Sequence, residues 1–292
     1  MVNYDPRTWL SLIFHSYSRQ VLKTLLPALV FMGAFTAIIC YIVLGYFKLK
    51  QNEFPAGISV HSLLGIVLGL FLVFRTNSAY DRWWEGRRLW GGIVNSTRNF
   101  AFKLNAYLSS ADKADREWFT AMIPNFVFAT KEHLRKGVNY SELKAVDENF
   151  ITALQQVNHK PNKLLAMLYQ KVNALHQQGK LSGEQLINLD KELKDFTDLM
   201  GACERIKNTP IPYSYSMFVK KFIFIYLITL PLGLISTFGY FAVPAVLLMS
   251  FVLLSVELIA EEIEDPFGQD VNDLPTDTLA LRINDNIREI LA

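Results

Sequence analysis

The sequence is poor in the residues that build redox and metal sites, because it has only two cysteines, Cys40 and Cys203. One lies in an apolar stretch and the other in a polar one, which is typical of small packing residues and not of a disulfide or a metal site. A net charge of only +2 gives no indication of a nucleic-acid partner. The sequence shows no glycine-rich phosphate loop, no strand-like alternation and no internal repeat. It therefore gives no support for a nucleotide-binding enzyme or a disulfide-stapled fold.

Charged residues are missing from three long stretches, residues 24–47, 54–74 and 222–256. A helix that crosses a hydrocarbon core of ~30 Å needs about 20 residues at ~1.5 Å per residue. Each stretch reaches that length. The third is too long for one helix, so we predict a helical hairpin that turns near Gly239–Pro244. The sequence thus predicts an all-α membrane protein with four transmembrane helices in a lipid bilayer.

The rest of the chain carries the charge and divides the sequence into segments. Residues 8–20 place apolar and basic side chains at helical spacing, which is typical of a helix lying on the membrane surface. The long polar block has the three-to-four-residue periodicity of packed helices. We predict an interfacial amphipathic helix (1–23), transmembrane helices 1 and 2 (24–75), a cytosolic helical domain (76–215), transmembrane helices 3 and 4 (216–260) and an acidic cytosolic tail (261–292).

Local signals place the helices inside the polar block. Ser182 and Gln185 have the spacing of a capping box, which predicts a helix running to about residue 207. The patterns over residues 141–157 and 161–178 predict two more polar helices. Because proline disfavours helix in the residue before it, the segment Asn208–Pro212 is predicted to be extended.

The distribution of Lys and Arg predicts the orientation in the membrane. Basic residues crowd the ends of the second and third spans beside the polar block, whereas the loop 47–57 has only two and the hairpin turn has none. The positive-inside rule then places both termini and the polar block in the cytoplasm of a multi-pass protein of the cell (inner) membrane. Residues 1–20 have no signal-peptide pattern, so we expect the first span to remain as an anchor.

The second span has two distinct faces. Ile66, Leu70 and Phe74 follow one another at four-residue spacing and form one apolar ridge. Gly65 and Gly69 form a GxxxG pair on another face, which lets a neighbouring helix approach closely. The ridge either packs on neighbouring helices or lines an apolar constriction that gates by dewetting. The second interpretation requires an oligomer, with one ridge per subunit around an axis.

Two sequence motifs resemble the bestrophin family in its bacterial form. Residues 69–90 read GLFLVFRTNSAYDRWWEGRRLW and residues 261–275 read EEIEDPFGQDVNDLP. The Arg82-Trp83-Trp84 spacing and the later Pro-Phe-Gly-x-Asp sequence carry the resemblance, which extends over nearly the whole chain. Its least similar part is the insert 138–180.

The resemblance implies a homopentamer with one ion pore on the fivefold axis. It places the rings of the membrane neck at Ile66, Leu70 and Phe74, and a cytosolic aperture at Ile211. It implies conduction of monovalent ions, with chloride as the family default. The alternative is a sodium or potassium channel of the same fold, because the neck is mostly aliphatic and the tail is acidic.

The acidic tail has two interpretations. In calcium-gated bestrophins, two carboxylates of this motif bind Ca²⁺, and the resemblance places them at Asp270 and Asp273. Gln269, Val271 and Asn272 stand where those channels are nearly all acidic, so the second interpretation is a loop held by Asp caps. We expect no required cofactor and weak or no Ca²⁺ dependence.

Two rival functions receive less support from the sequence. A membrane di-metal enzyme needs Glu-x-x-His pairs on facing helices, and none of His133, His159 and His176 has an acid three residues before it. A secondary transporter is the better rival, but it would favour inverted repeats and broken helices at the midplane. We therefore predict a channel and not an enzyme.

Overall fold

The computed structural model describes residues 16–48, 57–135 and 137–292. Helices dominate these residues and no β-strand occurs among them, which confirms the helical fold class. The α-helices are α1 (Ser16–Cys40), α2 (Gly57–Tyr107), α3 (Lys113–His133), α4 (Phe150–Gln155), α5 (Lys160–Gln177), α6 (Gly183–Asn208), α7 (Tyr213–Phe238), α8 (Ala242–Glu264) and α9 (Thr276–Leu291). A π-helical segment follows α1 at Tyr41–Tyr46, and short 3₁₀ turns lie at Tyr140–Glu142 and Gly239–Phe241.

The chain separates into two compact units. The apolar unit comprises Val2–Arg82 and Pro210–Glu264, and the polar unit comprises Trp83–Thr209 and Asp265–Ala292. Helix α2 contributes residues to both units. Three helical segments of the described residues are long and apolar enough to cross a membrane: Val21–Tyr46, Val60–Tyr107 and Tyr213–Glu264.

A glycine interrupts the third apolar segment and makes it a helical hairpin. Gly239 has a φ of 53°, a backbone conformation that few residues other than glycine adopt without strain. It ends α7, and the 3₁₀ turn leads into α8, which packs back on α7. Helix α1 packs on both of them. This break lies in the region where the sequence predicted the hairpin turn.

Stacked aromatic rings form the core of the polar unit. The Phe100 ring lies edge-on to Phe119 and Phe196, and the Phe126 ring stacks on Phe196 with centroids 5.2 Å apart. All four side chains are buried, as are the α2 positions Trp90, Thr97, Ala101 and Leu104, and Leu108 directly after the helix. The helical periodicity of residues 83–108 and 118–126 therefore marks the buried faces of α2 and α3.

A buried lysine ties α9 to α3 in the polar unit. Lys131 Nζ lies 2.8 Å from carboxylate oxygens of both Glu142 and Asp277. Arg135 binds the other oxygen of Asp277 at 2.7 Å. Hydrogen bonds from Arg135 and Lys131 hold the pKa of the Asp277 carboxyl well below its usual range. The C-terminal helix is thus fixed by a charged network that hydrophobic periodicity does not reveal.

One local prediction is wrong and a second is wrong at a single residue. Residues 141–157 do not form one helix, because only Tyr140–Glu142 and Phe150–Gln155 are helical and an irregular segment separates them. Asn208 is not extended, since it is the last residue of α6, and the chain leaves the helix at Thr209. The capping box is confirmed, because the Ser182 hydroxyl accepts from the Gln185 amide and the Gln185 side chain accepts from the Ser182 amide.

The N-terminal amphipathic helix lies partly outside the described residues. Residues 8–15 belong to that undescribed part. From Ser16 onwards α1 is continuous to Cys40, without a break at residue 23. Both cysteines are buried and free, as expected of packing residues.

Candidate functional site

The apolar ridge of α2 is exposed in the single chain. Ile66 is 72% exposed, Leu70 55% and Phe74 54%. Such exposure of three large apolar side chains in one row is costly in water, and in a membrane it needs a lipid, a partner or a pore beside it. The ridge therefore does not pack within its own chain.

The opposite face of α2 is buried against α7. Leu68 and Leu72 belong to the core of the apolar unit together with residues of α7. A Cβ at Gly65 would lie 2.9 Å from the Tyr226 hydroxyl, so only glycine fits there without a shift. Gly69 has no atom within 4 Å of such a Cβ. The expectation that both glycines of the GxxxG pair pack on a helix is thus met only at Gly65 within the chain.

A buried arginine follows the ridge directly. Arg75 Nη2 donates to Glu264 Oε2 at 2.7 Å, and its Nε lies 3.5 Å from Glu257 Oε1. Arg82, two turns further along α2, donates from Nε to the Glu264 carbonyl oxygen at 3.1 Å. Both arginines therefore hold the last residue of α8 against the end of the ridge.

The ion-pair partner of Glu257 is Arg75 of α2, although Lys220 of α7 also lies near the end of α8. Lys220 instead pairs with Glu261 at 3.0 Å, at a more exposed position. The Arg75 and Glu257 side chains are both buried, with 1% and 7% of their surface exposed. Sequence spacing could not decide between these partners, since Arg75 lies on α2, Lys220 on α7 and the carboxylate on α8.

The Glu264 carboxylate also holds the predicted aperture. Its Oε1 accepts from the Ile211 backbone N–H at 2.9 Å, while Oε2 binds Arg75. Ile211 lies between Pro210 and Pro212, and Pro212 adopts φ −50° and ψ 127° before α7 begins. The Glu264 side chain therefore links Arg75, the residue after Phe74, with the backbone of Ile211. Sequence analysis missed this role, although Glu264 lies within the acidic motif.

The acidic loop of the polar unit is closed by its own hydrogen bonds. The Leu274 amide donates to the Pro266 carbonyl at 2.9 Å, and Asp273 Oδ2 accepts from the Asp270 amide at 2.6 Å. A Cβ at Gly268 would lie 2.6 Å from Asp273 Oδ2, so the loop needs glycine there. Asp273 is buried and Asp270 is exposed. The Asp273 carboxylate thus uses one oxygen within the loop, and the weak or absent Ca²⁺ dependence stays a prediction.

These features together define a helical membrane protein with an exposed apolar ridge beside a buried ion-pair network. Residues 1–289 match the family described as Bacterial/Fungal Bestrophin protein, so the chain belongs to the bestrophin family. A voltage-dependent anion channel-forming protein of Nostoc sp. is 37% identical over 229 residues, covering 77% of this chain and 75% of that protein. The voltage-dependent anion channel-forming protein YneE of Salmonella typhi is 29% identical and covers 96% of this chain and 90% of its own length.

The solved structures agree with this assignment. A crystal structure of a bacterial bestrophin homologue from Klebsiella pneumoniae matches with a TM-score of 0.82 and 27% identity. The match covers 90% of this chain and 97% of that one. The resemblance carried by the two motifs is therefore confirmed at the level of the family and of the chain fold.

Proposed function

We propose that this protein is a bestrophin-type ion channel in which Ile66, Leu70 and Phe74 line the neck of a pore. The observation that supports this most directly is the exposure of these three side chains on α2, while the opposite face of the same helix is buried. Rings at four-residue spacing stand ~6 Å apart along a helix, so the neck is ~12 Å long. Its barrier is the dehydration of the ion in an apolar sleeve.

Anions are the proposed permeant ions, and chloride is the first candidate. The related proteins of Nostoc and Salmonella are named as anion channel-forming. The acidic motif could favour cations, but its carboxylates are largely neutralised: Glu261 pairs with Lys220, Glu264 with Arg75 and Asp265 with Lys207. The positive edges of the Phe74 rings would also face anions. Ion pairing thus weakens the argument for cation selectivity.

Ile211 is the proposed second constriction. Its backbone is fixed by the Glu264 carboxylate and by proline on both sides. A rigid backbone would hold an apolar side chain at a constant distance from the pore axis. The proposed topology has four spans, with the hairpin α7–α8 as the third and fourth, and both termini in the cytoplasm of the inner membrane. No step of this conduction mechanism requires catalysis.

Assembly tests the proposal at its first step. One chain offers a single ridge and cannot enclose a pore, so the protein should assemble as a homopentamer of five 33.4 kDa chains. Light scattering on detergent-purified protein, corrected for bound detergent, should give that protein mass. A monodisperse monomer or dimer would contradict the pore.

Calcium is proposed to be unnecessary for opening. Micromolar Ca²⁺ should leave the open probability unchanged in the intact channel. Asp273→Ala should lower the free energy of unfolding by about 1–3 kcal/mol, because the Asp270 amide loses its acceptor. Asp270→Ala should cost much less, since that side chain is exposed. A calcium response abolished by Asp270→Ala would show that the loop does bind the ion.

A further inference from the structure

Two histidines and one glutamate of the polar unit meet at a single carboxylate oxygen. His133 Nε2 and His159 Nε2 each lie 2.7 Å from Glu204 Oε1, and the two imidazole rings are 4.4 Å apart. Three separate helices supply them: His133 ends α3, His159 is the N-cap of α5, and Glu204 lies near the end of α6. The channel function proposed above uses none of the three.

We propose that His133, His159 and Glu204 form a binding site for a transition-metal ion of the zinc class. Two imidazole nitrogens and one carboxylate oxygen are a donor set typical of Zn²⁺, whereas Ca²⁺ and Mg²⁺ prefer oxygen ligands alone. The three side chains are between 24% and 32% exposed, which leaves room for water as a fourth ligand. The C-terminal ends of α3 and α6 carry partial negative charge that favours a cation, while the N-terminus of α5 at His159 carries the opposite partial charge.

The geometry requires only a small adjustment. Tetrahedral zinc with bonds of about 2.0–2.1 Å places neighbouring ligand atoms roughly 3.3 Å apart. The two nitrogen–oxygen distances of 2.7 Å must therefore open by roughly 0.6 Å. Rotation of the partly exposed side chains supplies this movement without a shift of the helix backbones.

The second ring nitrogen of His159 takes part in a helix cap that zinc binding would disrupt. His159 Nδ1 accepts from the Asn162 amide at 3.1 Å and caps α5, so the neutral ring carries its proton on Nε2. Zinc at Nε2 displaces that proton, and the neutral ring then carries its proton on Nδ1. A protonated Nδ1 cannot accept from the Asn162 amide, so the helix cap is lost. Zinc and the helix cap thus compete for His159, and metal binding becomes weaker as the pH falls.

Neighbouring groups do not offer a better site. Burial raises the pKa of the Cys203 thiol to about 12, so this residue next to Glu204 remains a protonated thiol at neutral pH. Among the described residues, the other cluster of three potential metal ligands consists of the acids Glu132, Glu142 and Asp277. Lys131 Nζ already lies at its centre as a built-in cation. Of these two clusters, the histidine cluster has the donors that suit a transition metal.

Metal binding to the full-length, EDTA-stripped protein in detergent tests the site. Equilibrium dialysis with ZnCl₂ should give one zinc per chain that competes with Co²⁺, and the Co²⁺ form should show the visible absorption of a tetrahedral site. His159→Asn and Glu204→Gln should each weaken zinc binding at least about tenfold, since even outer-shell changes cost 10–100-fold. His176→Gln is the matched control, because His176 binds the Leu181 carbonyl outside the cluster.

His159→Asn separates metal binding from folding. Asparagine is a good N-cap, so this variant keeps α5 capped while it removes the imidazole. Thermal unfolding without metal should therefore change little in this variant, and its stabilisation by zinc should be lost. Unchanged zinc affinity in His159→Asn, or no stoichiometric zinc in the wild type, would overturn the proposal and leave the cluster as a hydrogen-bonded link between helices. Neither result depends on whether the protein conducts ions.

Discussion

Replacing Ile66, Leu70 and Phe74 together by alanine is expected to raise the single-channel conductance at least tenfold. The three exposed side chains form the proposed apolar sleeve, and its barrier is the loss of water from the permeating ion. Alanine at these positions widens each ring of the neck, so that the permeating ion keeps more of its water. A reduction of the barrier by only ~1.4 kcal/mol corresponds to a tenfold rate. Single-channel recording in planar bilayers measures the effect.

The matched control is a double alanine variant on the opposite face of the same helix. Leu68 and Leu72 are buried in the apolar unit. Replacing both by alanine should therefore lower the free energy of unfolding by several kcal/mol in total. Its conductance should equal that of the wild type if it assembles. If the ridge variant instead loses stability and keeps its conductance, the ridge packs on protein and the pore lies elsewhere.

Glu264→Gln is expected to have the second largest effect, on both stability and permeation. Arg75 is buried, and removal of one partner from a buried ion pair costs about 3–5 kcal/mol. The variant should therefore unfold at a clearly lower temperature. Glutamine still offers an oxygen to the Ile211 amide, but without the charge that fixes the carboxylate on Arg75 its position is no longer held.

The aperture should respond to the same change. We expect Glu264→Gln to increase the relative permeability of large anions in the same direction as Ile211→Ala, because both relax the proposed second constriction. Glu261→Gln is the control, since its pair with Lys220 is more exposed and such surface pairs are worth about 0–1 kcal/mol. If Ile211→Ala raises the relative permeability of large anions and Glu264→Gln does not, Glu264 stabilises the unit without positioning the aperture.

The sequence predicts most of the helical architecture because burial leaves a periodic pattern. Uncharged stretches mark the apolar helices, the Ser182 capping box marks the start of α6, and the glycine at 239 marks the hairpin turn. The apolar ridge of Ile66, Leu70 and Phe74 also follows from four-residue spacing, whereas its exposure is known only from the structure. The sequence does not predict what this ridge faces, because an apolar row has the same residue pattern whether it faces a helix, a lipid or a pore.

Long-range polar contacts are the part that the sequence could not predict. Arg75 and Glu264 are 189 positions apart, and several acids near the end of α8 were equally plausible partners. His133, His159 and Glu204 come together only because α3, α5 and α6 pack side by side. Histidine spacing within one helix gave no sign of this cluster, because each residue comes from a different helix.

Purified protein in a planar bilayer with a tenfold NaCl gradient tests the central claim most directly. An anion channel predicts discrete unitary current steps and a reversal potential close to the chloride equilibrium value. A reversal potential near the sodium equilibrium value would keep the channel and reverse its proposed selectivity. Transport without unitary steps, at rates limited by turnover, would contradict the pore itself.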